Sequence, residues 1–212
     1  LREEIARREI IDIGQRMYRN GFVTGSSGNI SVKLNPEEIL ITSRGSNLGD
    51  LQNDDLLISD MKGLLRSNRS ITSEAPLHIE VYKQQSDVNA AIHAHPPYVI
   101  ALSLAGVSIE DDLLPEVIMV LGKVPTAMFA VPTTEESAEV IRPLITDHNA
   151  IILDRHGSLT VGSTLKQAWQ RLELLETAAK IIYRARTLGD LKHLTSDEMK
   201  RINESAERYR NR

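Results

Sequence analysis

Apolar residues recur at helical intervals from the start of the chain: Ile5, Ile10, Ile13 and Met17 alternate with charged side chains and stop at Asn20-Gly21. This spacing predicts an amphipathic helix closed by a glycine. The period then shortens to two. NISVKL (29–34), EILITS (38–43) and DLLISD (55–60) are short β-type runs separated by Asn-Pro and Gly-containing stretches, which predicts a small antiparallel meander. A helix is expected to open near Glu74 in EAPLHIEVYKQQ, with Thr72 and Ser73 ahead of it, Pro76 in its first turn, and Leu77, Val81 and Tyr82 on one face. VNAAIHAH (88–95) reads as a buried strand that stops at Pro96-Pro97, and YVIALSLAG (98–106) as a helix closed by Gly106. Further on, TAMFAV (126–131), NAIILD (149–154) and SLTVG (158–162) read as strands. ESAEVIRPLI (136–145) and LKQAWQRLELLETAAKIIYRAR (165–186) read as helices. Ahead of TAMFAV, the segment around Glu116 carries Leu113, Leu114, Val117, Ile118, Val120 and Leu121. That is too apolar for one face of a solvated helix, so burial in a core or a subunit contact is expected.

The order of elements predicts a mixed α/β fold, with helices flanking a central, largely antiparallel mixed sheet. A chain of 212 residues with 41% hydrophobic content can enclose one substantial core, so a single domain over residues 1–212 is expected. The linker-like stretch LGDLKHLTSDE leads into a charged helical tail from about residue 190. A formal net charge of -4 supplies no overall basic field for nucleic acid or anionic lipid. Without cysteine there are no disulfides, thiolate metal sites or cysteine nucleophiles. No long apolar run occurs and the first helix is charged throughout, so a cytoplasmic protein without a membrane partner is expected.

Six histidines remain as candidate metal ligands. Residues two apart on a strand project to one face, so His93 and His95 can offer imidazoles to one ion while Ala94 turns away. His156, in LDRHGS at the end of the apolar run NAIILD, is the best candidate for a third ligand. Imidazole suits zinc and its neighbours, and a catalytic site needs three protein ligands with a position left open. His78 follows Glu74 by four residues and shares its helical face, which suits packing or support of the site better than direct ligation. His148 reads as a turn residue, and His193 lies in the linker. Read locally, Glu74 is a helix-capping carboxylate; beside a metal, it is a group able to move protons at an acidified carbon.

Two loops offer backbone N–H groups and hydroxyls to an anion: GSSGNIS (25–31), and ITSRGSN (41–47), which carries Arg44. With Thr72 and Ser73 at a helix start, they could surround a phosphate. Neither loop has the P-loop or dinucleotide pattern, which argues against ATP and NAD.

Taken in order, GSSGNIS, ITSRG, TSEAPLH, HAHPP and DRHG resemble the successive motifs of the class II aldolase and adducin head-domain family over nearly the whole chain. The resemblance implies a three-layer α/β sandwich. It implies that His93, His95 and His156 bind a divalent cation, zinc first and manganese or cobalt as alternatives, and that Glu74 is the catalytic acid/base. Ser26, Gly28, Asn29, Gly45, Thr72 and Ser73 fall on the family's phosphate-binding positions, and Arg44 stands where a small residue is usual. The implied reaction is aldol cleavage of a phosphorylated ketose resembling L-fuculose 1-phosphate, giving dihydroxyacetone phosphate and an aldehyde. Related members run a 4-epimerase or a dehydratase on the same ligands, and adducin-type members are noncatalytic interaction modules. The resemblance also implies a homotetramer with active sites between subunits. The family's aldolases bring a tyrosine from the adjacent subunit at a position where this chain has DDLLPEV, so Glu116 and the C-terminal Tyr209 are the candidates for a second proton-transfer group.

Overall fold

The computed structural model describes residues 2–64, 69–109 and 112–210, without the side chains of 207–210. Helix α1 (Arg2–Arg19) ends where its apolar spacing stops: Gly21 takes a φ of 71°, and the Phe22 N–H donates to the Met17 carbonyl. A left-handed glycine there satisfies carbonyls that the helix itself leaves open. Seven strands follow as β1 (Asn29–Lys33), β2 (Glu38–Thr42), β3 (Leu56–Asp60), β4 (Ala90–Ala94), β5 (Thr126–Ala127), β6 (Ala150–Leu153) and β7 (Gly157–Gly162). They form one sheet in the order β3-β2-β1-β4-β7-β6-β5. All pairs are antiparallel except β5 with β6. The helices are α2 (Ala75–Gln84), α3 (Pro97–Leu104), α4 (Glu136–Ile145), α5 (Leu165–Leu188) and α6 (Ser196–Arg210). Among the described residues, no helix is long and apolar enough to cross a membrane.

Strand alternation sorts the side chains into two layers. Ile30, Leu40, Ala90, Ile92 and Ala94 face α1 and the first half of α5, whose Leu165, Trp169 and Leu172 complete that core. Ile39, Ile41, Ala91, Leu159 and Val161 face the other way, against Leu77 and Val81 of α2 and Ile141 and Ile145 of α4. A third cluster continues the first layer, with α3, the second half of α5 and residues 117–121 packed over Ala150 and Ile152. The sheet is therefore covered on both faces.

Two segments differ from the sequence expectation. Only Thr126–Ala127 of TAMFAV is strand, because its partner β6 ends at Leu153, opposite Ala127. Met128, Phe129 and Val131 continue past the sheet as exposed apolar residues. The segment around Glu116 forms a π-helical turn (Val117–Leu121) rather than an α-helix, and Val117, Ile118 and Leu121 are buried within this chain.

A long-range contact fixes the chain just after β4. Helix α3 opens on Pro96-Pro97 with no side-chain cap of its own. The carboxylate of Glu176, from α5, accepts the N–H groups of Tyr98 at 3.0 and 3.1 Å and of Val99 at 3.0 Å. Burial pushes the Glu176 carboxyl above the ordinary range, against the opposing pull of those backbone bonds. Glu176→Ala leaves these donors buried without an acceptor and is expected to lower the unfolding free energy by about 2 kcal/mol. Urea denaturation measures this, and an unchanged midpoint would mean that water replaces the carboxylate at no cost.

Candidate metal centre

Register brings the histidines together. On β4, His93 lies opposite Asn29 of β1 and Leu159 of β7, on the face that looks towards α2. His95 follows just beyond the strand, its N–H donating to the Phe22 carbonyl at 2.8 Å. His156 sits in the turn between β6 and β7, which closes with Leu153 opposite Gly157. The turn requires a left-handed residue, and Arg155 takes a φ of 55° there. Ser103 of α3 pins it: the Ser103 hydroxyl accepts the Arg155 N–H at 2.8 Å and donates to Asp154 Oδ1 at 3.1 Å.

The three rings form a near-equilateral group, with centroids 4.8, 4.8 and 4.9 Å apart. One ligand nitrogen of each lies within 4.8 Å of the others. His93 Nδ1–H donates to the Ser158 carbonyl at 3.0 Å, which selects the tautomer and leaves Nε2 as an unprotonated ligand atom. That Nε2 is 2.9 Å from His95 Nε2. Burial drives His93 and His95 down to about 3, and the neighbouring imidazoles push the same way. His156 is lowered too, chiefly by burial. All three rings are therefore neutral at neutral pH, the form that binds a cation.

Glu74 immediately precedes α2, yet its side chain caps no N–H of that helix. It turns towards the imidazoles instead. Oε2 lies 3.2 Å from His93 Nε2 and accepts from Asn29 Nδ2 at 2.8 Å. Oε1 is 3.5 Å from His156 Nε2 and, though buried, has no hydrogen-bond partner among the described residues. A Cβ at Gly157 would stand 2.3 Å from the Ala94 carbonyl and 2.8 Å from His95 Cδ2, so only glycine leaves these rings their space. Neutral nitrogens held at contact distance, an orphaned carboxylate oxygen and a glycine-lined cradle fit a divalent cation, which His93, His95 and His156 could hold.

The anion loops converge on the start of α2. The Arg44 N–H donates to the Ser70 carbonyl at 2.9 Å and the Thr72 N–H to the Thr42 carbonyl at 3.1 Å. Thr42 Oγ1 accepts the Ile30 N–H at 3.3 Å, so both loops are stitched to the strand that carries Asn29. Gly28 takes a φ of 75°, and a Cβ there would meet Val23 Cγ1 at 2.5 Å. Gly45 has a φ of 80°. Ser26 and Arg44 are exposed, Thr72 is buried and Ser73 half-buried. The Arg44 guanidinium makes no hydrogen bond or ion pair among the described residues, whereas the Asn29 amide is already engaged at both ends by Glu74 and His78.

Glu116 is exposed and takes part in no hydrogen bond or ion pair with the described residues, the histidines included. Tyr209 falls in the last turn of α6, and its side chain lies outside those described. His148 and His193 bond elsewhere, to the Leu144 carbonyl at 2.7 Å and to Asp112 at 3.0 Å. Residues that sequence reasoning missed include Ser31 and Tyr82, which extend the buried contacts of His78, and Ser103, which holds the His156 turn. A signal existed for Tyr82, which continues the four-residue spacing of Glu74 and His78.

A family model for the class II aldolase and adducin N-terminal domain matches residues 8–183. A 3-oxo-tetronate 4-phosphate decarboxylase of Pectobacterium atrosepticum is 32% identical, over 93% of this chain and 92% of that protein. An L-fuculose phosphate aldolase of Methanococcus vannielii is 34% identical, over 82% and 93%. The crystal structure of YgbL from Klebsiella pneumoniae superposes with a TM-score of 0.86 at 32% identity, covering 94% of this chain and 98% of that one.

Gly157→Ala tests the cradle. The added methyl is expected to displace the His95 ring or the Ala94 carbonyl and to weaken zinc binding at least about tenfold. Calorimetric titration of the metal-stripped protein reads this directly, and unchanged affinity would show that the rings can shift without consequence.

Proposed function

Because the chain belongs to the class II aldolase and adducin N-terminal domain family, we propose that it is a metal-dependent lyase acting on a phosphorylated carbonyl compound. It breaks the bond between the carbons α and β to the carbonyl, leaving the enediolate of dihydroxyacetone phosphate. The observation that carries this reading is the Glu74 carboxylate among three neutral imidazoles, one oxygen held and one free. A divalent cation on His93, His95 and His156, zinc by the donor set with manganese or cobalt as alternatives, would polarise the carbonyl and stabilise negative charge. Glu74 Oε1 is the free oxygen and would take a proton from solvent or a substrate hydroxyl and pass it to the carbon that loses its substituent. Ser26, Gly28, Gly45, Thr72 and Ser73 would hold the phosphate, with Arg44 supplying its charge. Asn29 would offer that anion only its second amide N–H.

What leaves distinguishes the reactions available to this site. Aldol cleavage needs a base for the hydroxyl that becomes an aldehyde, and the family's tyrosine for that task is absent from DDLLPEV. Decarboxylation needs no such group: in a 3-oxo-tetronate 4-phosphate the C1–C2 bond breaks, carbon dioxide departs, the electron pair forms the C2–C3 enediolate, and C2 then takes a proton. Similarity to a decarboxylase over 93% of the chain points the same way. Decarboxylation of a 3-oxo sugar-acid phosphate is therefore the first reading. Aldol cleavage of a ketose 1-phosphate, with Glu116 or Tyr209 of a neighbouring subunit as the second proton-transfer group, is the other, favoured by similarity to the fuculose phosphate aldolase. A shared site requires an oligomer, and a homotetramer in the cytoplasm is the arrangement we infer. The exposed apolar residues Met128, Phe129 and Val131 follow β5, with Arg155 of the His156 turn stacked 5.0 Å over the Phe129 ring, and would be covered by that assembly.

The zinc-loaded protein is expected to release carbon dioxide and dihydroxyacetone phosphate from 3-oxo-tetronate 4-phosphate. Dihydroxyacetone phosphate from L-fuculose 1-phosphate alone would select aldol cleavage, and no product from either would remove the lyase reading. In the same assay Glu74→Gln should lose about 100-fold or more in kcat with its zinc retained. Arg44→Ala should raise KM about tenfold and alter kcat less. Light scattering at assay concentration should give a tetramer; a fully active monomer would end the shared-site model.

A further inference from the structure

Beyond the histidine cluster, the buried polar groups between α2 and β1 form one continuous line. Glu74, His78 and Tyr82 are spaced by four and stack along one face of the helix, over Asn29 and Ser31 on the strand below. The repeats match: four helical residues rise about 6.0 Å and two strand residues about 6.6 Å. Asn29 thus meets both Glu74 and His78, and Ser31 meets both His78 and Tyr82. Asn29 Nδ2 donates to Glu74 Oε2 at 2.8 Å, and Asn29 Oδ1 contacts His78 Nε2. Ser31 Oγ lies 2.6 Å from His78 Nδ1 and 2.7 Å from the Tyr82 hydroxyl. All five residues are buried.

The direction of every bond follows from one end. A carboxylate only accepts, so Asn29 presents its amino group to Glu74 and its carbonyl to His78. His78 must then carry its proton on Nε2, which leaves Nδ1 to accept from the Ser31 hydroxyl. Ser31 Oγ in turn accepts from Tyr82. Four donors point along one line into one carboxylate oxygen, and each polarises the next.

The geometry points to Ser31, His78 and Tyr82 as positioning residues, which act through Asn29 to clamp Glu74 Oε2 so that Oε1 alone is left to carry the proton. This rests on the role proposed above for Glu74. Without the Ser31 hydroxyl, His78 can move its proton to Nδ1. Its bare Nε2 then repels Asn29 Oδ1, the amide turns over, and Glu74 faces an oxygen instead of a donor.

The test is nitrogen NMR of the 15N-histidine-labelled, zinc-loaded protein together with steady-state kinetics. The expected result is a single Nε2–H tautomer of His78 in the wild type, and loss of that single form in Ser31→Ala. The variant's kcat should fall about tenfold, with KM within about twofold and zinc content unchanged. An Nδ1–H tautomer in the wild type overturns the direction of the bonds and wild-type kcat in Ser31→Ala overturns the positioning role; lost zinc would overturn it too, by making Ser31 a support of the metal centre instead. If Ser31→Ala does not fold, the wild-type tautomer still decides the direction of the bonds. His78→Gln, which keeps a donor for Asn29, should then retain more turnover than His78→Leu, and equal losses with zinc retained overturn the proposal. The two readings fail separately. Full activity in Glu74→Gln would remove the role of Glu74 and leave the tautomer standing, whereas an intact tautomer with undiminished Ser31→Ala turnover would remove only the positioning.

Discussion

The Glu74 carboxylate is buried at the junction of β1, β4, α2 and the turn after β6, with one oxygen bonded and the other bare. Water does not solvate it there, and an uncompensated buried carboxylate costs several kcal/mol. Two kinds of partner offset this. The Asn29 amide donates to Oε2, and a cation among the imidazoles would neutralise the charge that Oε1 faces. Each partner depends on register: sliding β1 against β4 by one residue would send Asn29 and Ser31 to the opposite face, among Ile92 and Trp169. Cation binding there would accordingly be coupled to sheet register and to the entry into α2, since an ion that binds only the folded arrangement stabilises all three.

Both stretches of chain that carry the histidines are also bonded to helices on the far face of the sheet. His93 at the end of β4 and His95 just beyond it lead directly into Pro96-Pro97, a junction whose open N–H groups are satisfied from α5 by Glu176. The third lies in a turn whose left-handed Arg155 is held by Ser103 of α3. One short helix therefore sits between both sources of ligands, bonded to each.

Much of this was legible in order along the chain, and the reason is local. Short β-type runs located β1, β2 and β3, the apolar stretch ending at Pro96-Pro97 located β4, and the two-residue spacing placed His93 and His95 on one face; the Gly-rich and Ser-rich turns marked the loops around the start of α2. The four-residue interval from Glu74 to His78 already placed that histidine beside the site. What the sequence did not disclose depends on partners far away in the chain. Glu176 caps a helix 77 residues earlier, and nothing in LLETAAK distinguishes it from a solvated helical acid. TAMFAV has the composition of a full strand but stays paired for only Thr126–Ala127, because the length of its partner decides where it ends. The Glu116 segment was correctly read as too apolar for solvent, yet its burial is met inside the chain by α3 and α5.

Relatives bearing the names of a decarboxylase and an aldolase align with this chain at similar identity, 32% and 34%, and the arrangement of the site offers a physical reason. Both reactions leave the same electron pair on the same carbon, so the half of the site that stabilises it need not change. On the reading proposed above, that half would comprise the imidazoles, Glu74 and the buried line beneath it, which lie on the sheet or against it. The other half must handle carbon dioxide, which leaves without proton transfer, or an alkoxide, which does not. On the same reading, that half would fall to residues such as Glu116, which is exposed beside the buried Val117, Ile118 and Leu121. A change of reaction would then be confined to exposed groups, while Glu74 and His93, common to both reactions on that reading, lie buried between α2 and the sheet. On this account a phenol or another base introduced near position 116 would extend the range of leaving groups, and one introduced at Asn29 or Ser31 would remove the shared step before any leaving group mattered.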